Sequence, residues 1–185
     1  MFAKLKDGFP QMYQCATEHP DLFTRIAAPA RTALLKEGEV ARKMVFIEKG
    51  CIRMWFNNHG RDVTMQFFFE GQAVSSSESF YTGQPSLFTM EAIEPCVVHT
   101  ISKDKYMELI NGSPALKAEM EALTYKRWFH YQRLFLSRIK DNPQQRYVQL
   151  QAESPEVIAR VPQHYIASYL GITPVSLSRI KNKML

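Results

Sequence analysis

The sequence predicts an α+β chain in three parts. The first, residues 1–113, reads as an antiparallel β-roll of the double-stranded β-helix, jelly-roll-like kind. The second, residues 114–141, is one long central helix, and the third, residues 142–185, is an all-α helix-turn-helix domain. Three observations carry this reading. Short apolar runs punctuated by glycine fill the stretch from Thr32 to Ile101. No Gly or Pro interrupts the chain between Pro114 and Lys140. From Gln163 onward an apolar period suited to two helices is broken only at Gly171-Ile172-Thr173-Pro174.

Residues near 10–29 look helical, with Pro20 and Pro29 as breakers. Thr32–Lys36 and Met44–Ile47 read as strands separated by a turn at Gly38-Glu39. Cys51–Phe56 alternates side chains as a strand does, and Asn57-Asn58-His59-Gly60 is a hairpin signal leading into Val63–Phe69. A polar stretch at Ser75–Ser79 precedes strands at Ser86–Ile93 and Val97–Ile101. Strands this short and this regularly punctuated suggest a small roll or barrel. Ser102-Lys103-Asp104 opens a helical segment, Lys105–Ile110, which Asn111-Gly112-Ser113-Pro114 interrupts.

The long helix is apolar along several lines. Leu116, Met120, Leu123 and Leu134 share one line with Arg127 and His130. Ala118, Ala122, Tyr125, Phe129, Leu136 and Ile139 follow a second line, and Trp128, Tyr131 and Phe135 a third. A helix that is apolar on several sides must be covered on several sides. One face packs on the roll; a second copy of the chain is the economical cover for another. The expected dimerisation residues are Met120, Leu123, Arg127, His130, Tyr131 and Leu134. Asp141-Asn142-Pro143 ends this helix as a hinge, Gln144–Glu153 follows as a helix, and Ser154-Pro155 begins a loop.

In the C-terminal segment each special position has a mechanical reason. Ala167 allows two helices to cross closely. Gly171 supplies the positive φ of a tight turn. Thr173 offers an N-cap oxygen, and Pro174 sits at the first helical position, where its missing N–H costs nothing. Ile166, Leu170, Ile172, Leu177 and Ile180 form the seam. The outward face carries Pro174, Val175, Ser176, Ser178, Arg179, Lys181 and Lys183, a surface suited to a DNA major groove. Charge placement agrees: residues 1–110 hold 12 Lys/Arg against 13 Asp/Glu, whereas residues 111–185 hold 11 against 5. Basic excess confined to one half is the footprint of a phosphate-backbone binder.

Composition narrows the alternatives. Of 185 residues, 45% are hydrophobic and 22% charged, which fits a globular chain with a sizeable core. The start, Met1 to Pro10, lacks the apolar run of a signal peptide, and no stretch approaches the roughly 20 apolar residues of a membrane span. A cytoplasmic protein without a membrane partner is expected. Cys15, Cys51 and Cys96 are far apart and without metal-ligand spacing, and the five histidines are scattered. No metal, cofactor or catalytic residue is expected, and an enzyme built on a cupin-like roll would need convergent ligands that His59 and His99 do not provide.

Taken together, Leu34-Leu35-Lys36-Glu37-Gly38-Glu39, Val45-Phe46-Ile47-Glu48-Lys49-Gly50, Phe68-Phe69-Glu70-Gly71-Gln72 and the segment from Val161 onward resemble the Crp/Fnr family of bacterial transcription regulators. The resemblance extends over nearly the whole chain. It implies a homodimer whose long helices are repositioned by an effector in the roll, so that two recognition helices meet successive major grooves of a palindromic operator on double-stranded DNA. It also implies RNA polymerase as a partner if the protein activates.

The resemblance has departures. Family members that bind cyclic nucleotides carry a Glu for the ribose and an Arg for the phosphate; those positions align with Ser76 and Ser86, and a shift of two residues offers Glu78 as the acid but no arginine. Between Arg61 and Lys103 there is no Lys or Arg, while Asp62, Glu70, Glu78, Glu91 and Glu94 are all acidic. A buried cyclic phosphate needs charge-assisted donors. A roll that does not bind cAMP, with an unknown effector or none, is expected. The candidate effector residues are Ser75, Ser76, Ser77, Glu78 and Ser86, and the serine run reads either as a pocket for a neutral effector or as a capped turn. The clustered cysteines of an iron–sulfur member and the ligands of a haem member are absent from the pattern.

At the DNA end the family's early Arg and Glu are replaced by Pro174 and Val175, which suit thymine methyls, and Arg179 aligns with a base- or phosphate-contacting arginine. Lys181 and Lys183 suit phosphates, Gln163 and His164 the backbone. With Leu185 following directly, the usual β-hairpin wing is expected to be missing. A second function class, a small-molecule sensor acting through a protein partner, fits the same roll.

Overall fold

The computed structural model describes residues 4–184. Met1–Ala3 and Leu185 lie outside the described residues, and with them the expectations about the leader and the wing. The chain divides into two compact units: one holds residues up to Phe56 and from Phe67 to Leu123, the other Asn57–Gln66 and Thr124 onward.

Two short helices, α1 (Leu5–Gly8) and α2 (Pro10–Glu18), and a tight turn at Pro20–Leu22 lead into eight strands among the described residues. These are β1 (Thr24–Ala28), β2 (Thr32–Leu35), β3 (Lys43–Lys49), β4 (Ile52–Asn58), β5 (Arg61–Phe68), β6 (Ala73–Val74), β7 (Thr89–Ala92) and β8 (Cys96–Ser102), with helix α3 (Ser77–Thr82) between β6 and β7. They form two four-stranded sheets, in the orders β1-β8-β3-β6 and β2-β7-β4-β5. Helix α4 (Lys103–Gly112) follows, its Ser102 cap accepting from the Lys105 amide, and then α5 (Pro114–Lys140).

The sequence places a helix where β1 lies. Thr24–Ala28 pairs instead with β8, from Thr24 opposite Thr100 to Ala28 opposite Cys96, and tertiary pairing overrides local propensity. The strand expected from Ser86 begins only at Thr89, because the Ser86 hydroxyl folds the chain back onto Phe88. Gly50, which ends β3, has a φ of 100°, and a Cβ there would lie 2.5 Å from the Cys96 sulfur and 2.9 Å from the Pro95 carbonyl oxygen. No larger residue fits that turn.

The core on the outer side of the first sheet is aromatic. Phe9 and Phe23 meet Phe46 edge-on, with ring centroids 6.3 and 6.0 Å apart. Met12, Phe80, Ile101, Tyr106 and Leu116 complete this cluster, and Met120 and Leu123 pack against it. The Glu119 carboxylate of α5 accepts from the Gln11 and Met12 amides at 2.8 and 3.0 Å, so it caps the first turn of α2 across the sequence.

Glu48 sits where the β3–β8 register slips between Ile47 and Lys49. From this bulge its carboxylate bonds to Nε2 of the fully buried His99 and lies 3.5 Å from Arg25 Nε. The His99 hydrogen bond, aided by both positive partners, holds the Glu48 carboxyl below its ordinary range.

In the second unit the end of α5 is followed by α6 (Pro143–Glu153), α7 (Pro155–Arg160), α8 (Gln163–Leu170) and α9 (Pro174–Met184). Asn142 and Gln145 form a reciprocal capping box before α6. The loop expected at Ser154-Pro155 is helix α7, since proline at a first helical position starts a helix as readily as it interrupts one. Tyr147, Leu150, Val157, Val161, Ile166, Ala167, Leu170 and Leu177 are buried. No described helix is long and apolar enough to cross a membrane.

Replacing Glu48 with Gln should lower stability at neutral pH by about 1–2 kcal/mol, the worth of a charge-assisted hydrogen bond. Because the folded state holds this carboxyl below its unfolded pKa, the contribution is full above about pH 5 and is lost as pH falls through the folded value. Urea denaturation of both proteins across pH 7 to 3 should show the gap closing; a constant gap would assign the stabilisation to packing.

Candidate nucleic-acid interface

Helix α8 stops at Gly171, whose φ of 69° places it in the left-handed region. The Gly171 amide donates to the Ser168 carbonyl and the Ile172 amide to the Ala167 carbonyl, both at 3.0 Å, which is a Schellman closure. The Thr173 hydroxyl then accepts from the Ser176 amide at 3.1 Å and caps α9, with Pro174 at the first helical position. Ala167 is fully buried, and Ile166, Leu170 and Leu177 form the seam, with Ile172 and Ile180 half-buried at its margins. The turn therefore follows the mechanics the sequence implied.

On α9, Pro174, Val175, Ser178, Arg179 and Lys183 are exposed, Val175 at 61%. Ser176 and Lys181 are half-buried, and the Ser176 hydroxyl lies 3.0 Å from that of Thr173, so it belongs partly to the cap. Gln163 and His164 are exposed at the start of α8. From Val157 onward the sequence contains no Asp or Glu and four Lys/Arg. This face presents two apolar contacts, one guanidinium and short polar groups within a positive field, the chemistry of a groove reader.

Sequence reasoning missed three residues that hold this pair of helices. The Ser168 hydroxyl donates to the Asp62 carbonyl at 2.8 Å and accepts from the Thr64 amide at 2.9 Å, so the hairpin at 57–66 rests on α8. That hairpin turns through His59 and Gly60, both at positive φ, with the Gly60 amide on the Asn57 side chain. Arg138 donates to the Tyr169 carbonyl, and Arg146 to those of Asp141 and Leu170. Arg138 and Arg146 fall in no motif, and Ser168 lies between the special positions of the helix-turn-helix; their signal is the set of backbone groups they meet.

In the roll, the serine run resolves as a turn tied to the backbone. Ser75 donates to the Lys43 carbonyl, Ser79 donates to that of Gln84 and accepts from the Ala41 amide, and Ser86 donates to that of Phe88. Ser76 is buried at the start of α3, while Ser77 and Glu78 are exposed. A cavity of about 230 Å³ opens between strands of both sheets, walled by apolar side chains that include Ile26, Leu35, Val45 and Met90 and by Glu39, Arg42 and Lys43. Of the candidate effector residues only Ser75 reaches its wall. Arg53, buried in β4, lies 3.7 Å from Glu91 and 5.0 Å over the Trp55 ring. Burial pushes the Cys96 thiol up to about 11. Among the described residues no group of His, Cys, Asp or Glu is arranged to hold a metal.

The residues of the expected dimerisation line divide between the core and the surface of α5. Met120 and Leu123 face the aromatic core, and Arg127, His130, Tyr131 and Leu134 are half-buried within their own chain. Burial pushes the His130 imidazole down and the Tyr131 phenol up. The exposed large side chains are Tyr125, Trp128, Phe129, Phe135, Leu136 and Ile139.

A β-roll followed by a long helix and a helix-turn-helix defines a two-part class, and residues 25–113 match the cyclic nucleotide-binding domain family. Over 100 residues the chain is 24% identical to the cAMP-activated global transcriptional regulator CRP of Escherichia coli, a match covering 54% of this chain and 48% of that protein. The chain thus spans about half the length of the curated relatives it matches. The c-di-GMP responsive global regulator CLP of Xanthomonas campestris has a similar structure, with a TM-score of 0.76 at 16% identity over 93% of this chain and 91% of that one. A transcriptional regulator assigned to the Crp/Fnr family from Eubacterium rectale gives 0.72 at 15% identity over 96% and 87%. The chain is thus similar in sequence to CRP over 100 residues and similar in fold to these two regulators.

Replacing Ser168 with Ala should remove both hairpin contacts, at a cost of about 1–2 kcal/mol. Hydrogen exchange at the Thr64 amide should accelerate while that of β3 and β8 is unchanged; equal acceleration throughout would mean that the whole fold had loosened.

Proposed function

We propose that the protein is a sequence-specific, homodimeric DNA-binding transcription regulator acting on a palindromic operator. The observation that carries this reading is the capped α8–Gly171–α9 pair, which presents Pro174, Val175, Ser178 and Arg179 to solvent beside Lys183. Arg179 reads a guanine, Pro174 and Val175 contact thymine methyls, and Lys181, Lys183, Gln163 and His164 meet the backbone. RNA polymerase is a partner if the protein activates.

The second copy docks on the stripe formed by Tyr125, Trp128, Phe129, Phe135, Leu136 and Ile139. These recur at helical spacing along one side of α5, where Tyr125 stacks on Phe129 with ring centroids 6.5 Å apart and the Trp128 ring lies tilted against Phe129 at 5.6 Å. A run of about 15 residues covers about 22 Å, enough for a two-stranded contact. This stripe replaces the line from Met120 to Leu134 as the proposed interface.

Effector chemistry differs from that of a cAMP-activated relative. Ser86 stands where the resemblance expects an arginine, its hydroxyl is bonded to the Phe88 backbone, and no Lys or Arg lies between Arg61 and Lys103. The roll therefore works without a cyclic phosphate. The other reading, a sensor acting through a protein partner, would use the same stripe and leave α9 without DNA.

Selection from a random DNA pool should enrich a palindrome with half-sites about one helical turn apart; no enrichment would overturn the proposal. Arg179→Ala should weaken the selected site by about 1–3 kcal/mol and relax one base position. Phe135→Glu with Ile139→Glu should give a folded monomer by sedimentation and circular dichroism, and a persistent dimer would move the interface elsewhere.

A further inference from the structure

We propose that Arg138 and Arg146 are positioning residues that set the angle of the helix-turn-helix against the end of α5. This rests on the DNA-binding reading above.

A helix leaves its last four carbonyls without intrahelical partners. In α8 these belong to Ala167, Ser168, Tyr169 and Leu170. The Schellman closure satisfies the first two locally, through the Ile172 and Gly171 amides. The other two are taken by guanidinium groups from elsewhere in the unit: Arg138 of α5 donates to Tyr169, and Arg146 of α6 to Leu170 at 3.1 Å. Arg146 also donates to the Asp141 carbonyl at 2.6 Å, so one side chain spans the end of α5 and the end of α8.

Two features show that this is a fitted seat. Arg138 lies beside Gly171, and Nη1 occupies the space that a Cβ at Gly171 would need. Glycine there serves the turn and also admits the guanidinium. The two like charges also converge: burial first, and then Arg146, pushes the Arg138 guanidinium down. The negative end of the α8 dipole, whose last carbonyls accept from these guanidinium groups, offsets that repulsion. A planar fork with several fixed donors transmits an angle as well as a distance, which a single ammonium does not. A dimer whose reading heads are held this way recognises one spacing between half-sites.

The experiment uses the full chain and compares Arg138→Ala, Arg146→Ala and Arg138→Lys with the parent. Binding is measured to one half-site and to palindromes whose spacer changes by single base pairs. Each alanine variant should keep the dimer and its half-site affinity. Its affinity for the best palindrome should fall about tenfold, as expected for one lost charge-assisted hydrogen bond, with a flattened dependence on spacer. The lysine variant should recover affinity without recovering the sharp spacer preference. An unchanged spacer profile, or equal loss on half-site and palindrome, would overturn the proposal. A DNA-free measurement separates it from the DNA-binding reading. Spin labels at positions 132 and 182 in one subunit of each dimer should give one narrow distance in the parent and a broad one in the alanine variants. A narrow distance in all of them would refute the seat, whereas a parent that binds no DNA but shows the narrow distance would refute only the DNA reading.

Discussion

The constraint on which the rest depends is the covering of α5. Its first turns bury Leu116 and place Glu119 on the amides of α2, so this end is part of the aromatic core. Its later turns expose rings and aliphatics along one side, with Ile139 69% exposed. Its final turn supplies Arg138 to the carbonyls of α8. One continuous hydrogen-bonded rod thus carries three different surfaces. No Gly or Pro interrupts it between Pro114 and Lys140. Apolar residues on several sides are what such an element requires, and they explain why its sequence shows no single stripe.

Much of the architecture was legible in the residues. Glycine-bounded alternation marks β2 to β5, and the cap and turn residues mark α8 and α9, because those signals arise from local backbone chemistry. What escaped depends on distant partners. β1 was hidden because Thr24–Ala28 is a strand only through its pairing with β8. β6 is two residues long and exists only against β3. α7 was read as a loop because Pro155 was taken as a breaker. Periodicity shows that α5 has several apolar sides but not which one the chain covers itself. Arg138, Arg146 and Ser168 were invisible for a related reason: each meets backbone groups far away in sequence, and no spacing rule reports that.

The roll shows how a binding scaffold can keep its shape while its chemistry changes. Ser75, Ser79 and Ser86 hold the connection between β6 and β7 by bonds to main chain, a task independent of any anion. The buried cation Arg53 is matched by Glu91 and the Trp55 face. The cavity beside the connection mixes aliphatic walls with Glu39, Arg42 and Lys43.

The Ser168 contact has a consequence for solubility. β5 is the terminal strand of its sheet, and strands in that place offer unpaired amides and carbonyls to any passing chain. At Asp62 and Thr64 those groups are shielded by one hydroxyl from α8. Any displacement of α8 therefore bares a template for strand addition, so mobility of this helix and resistance to self-association are opposed by construction.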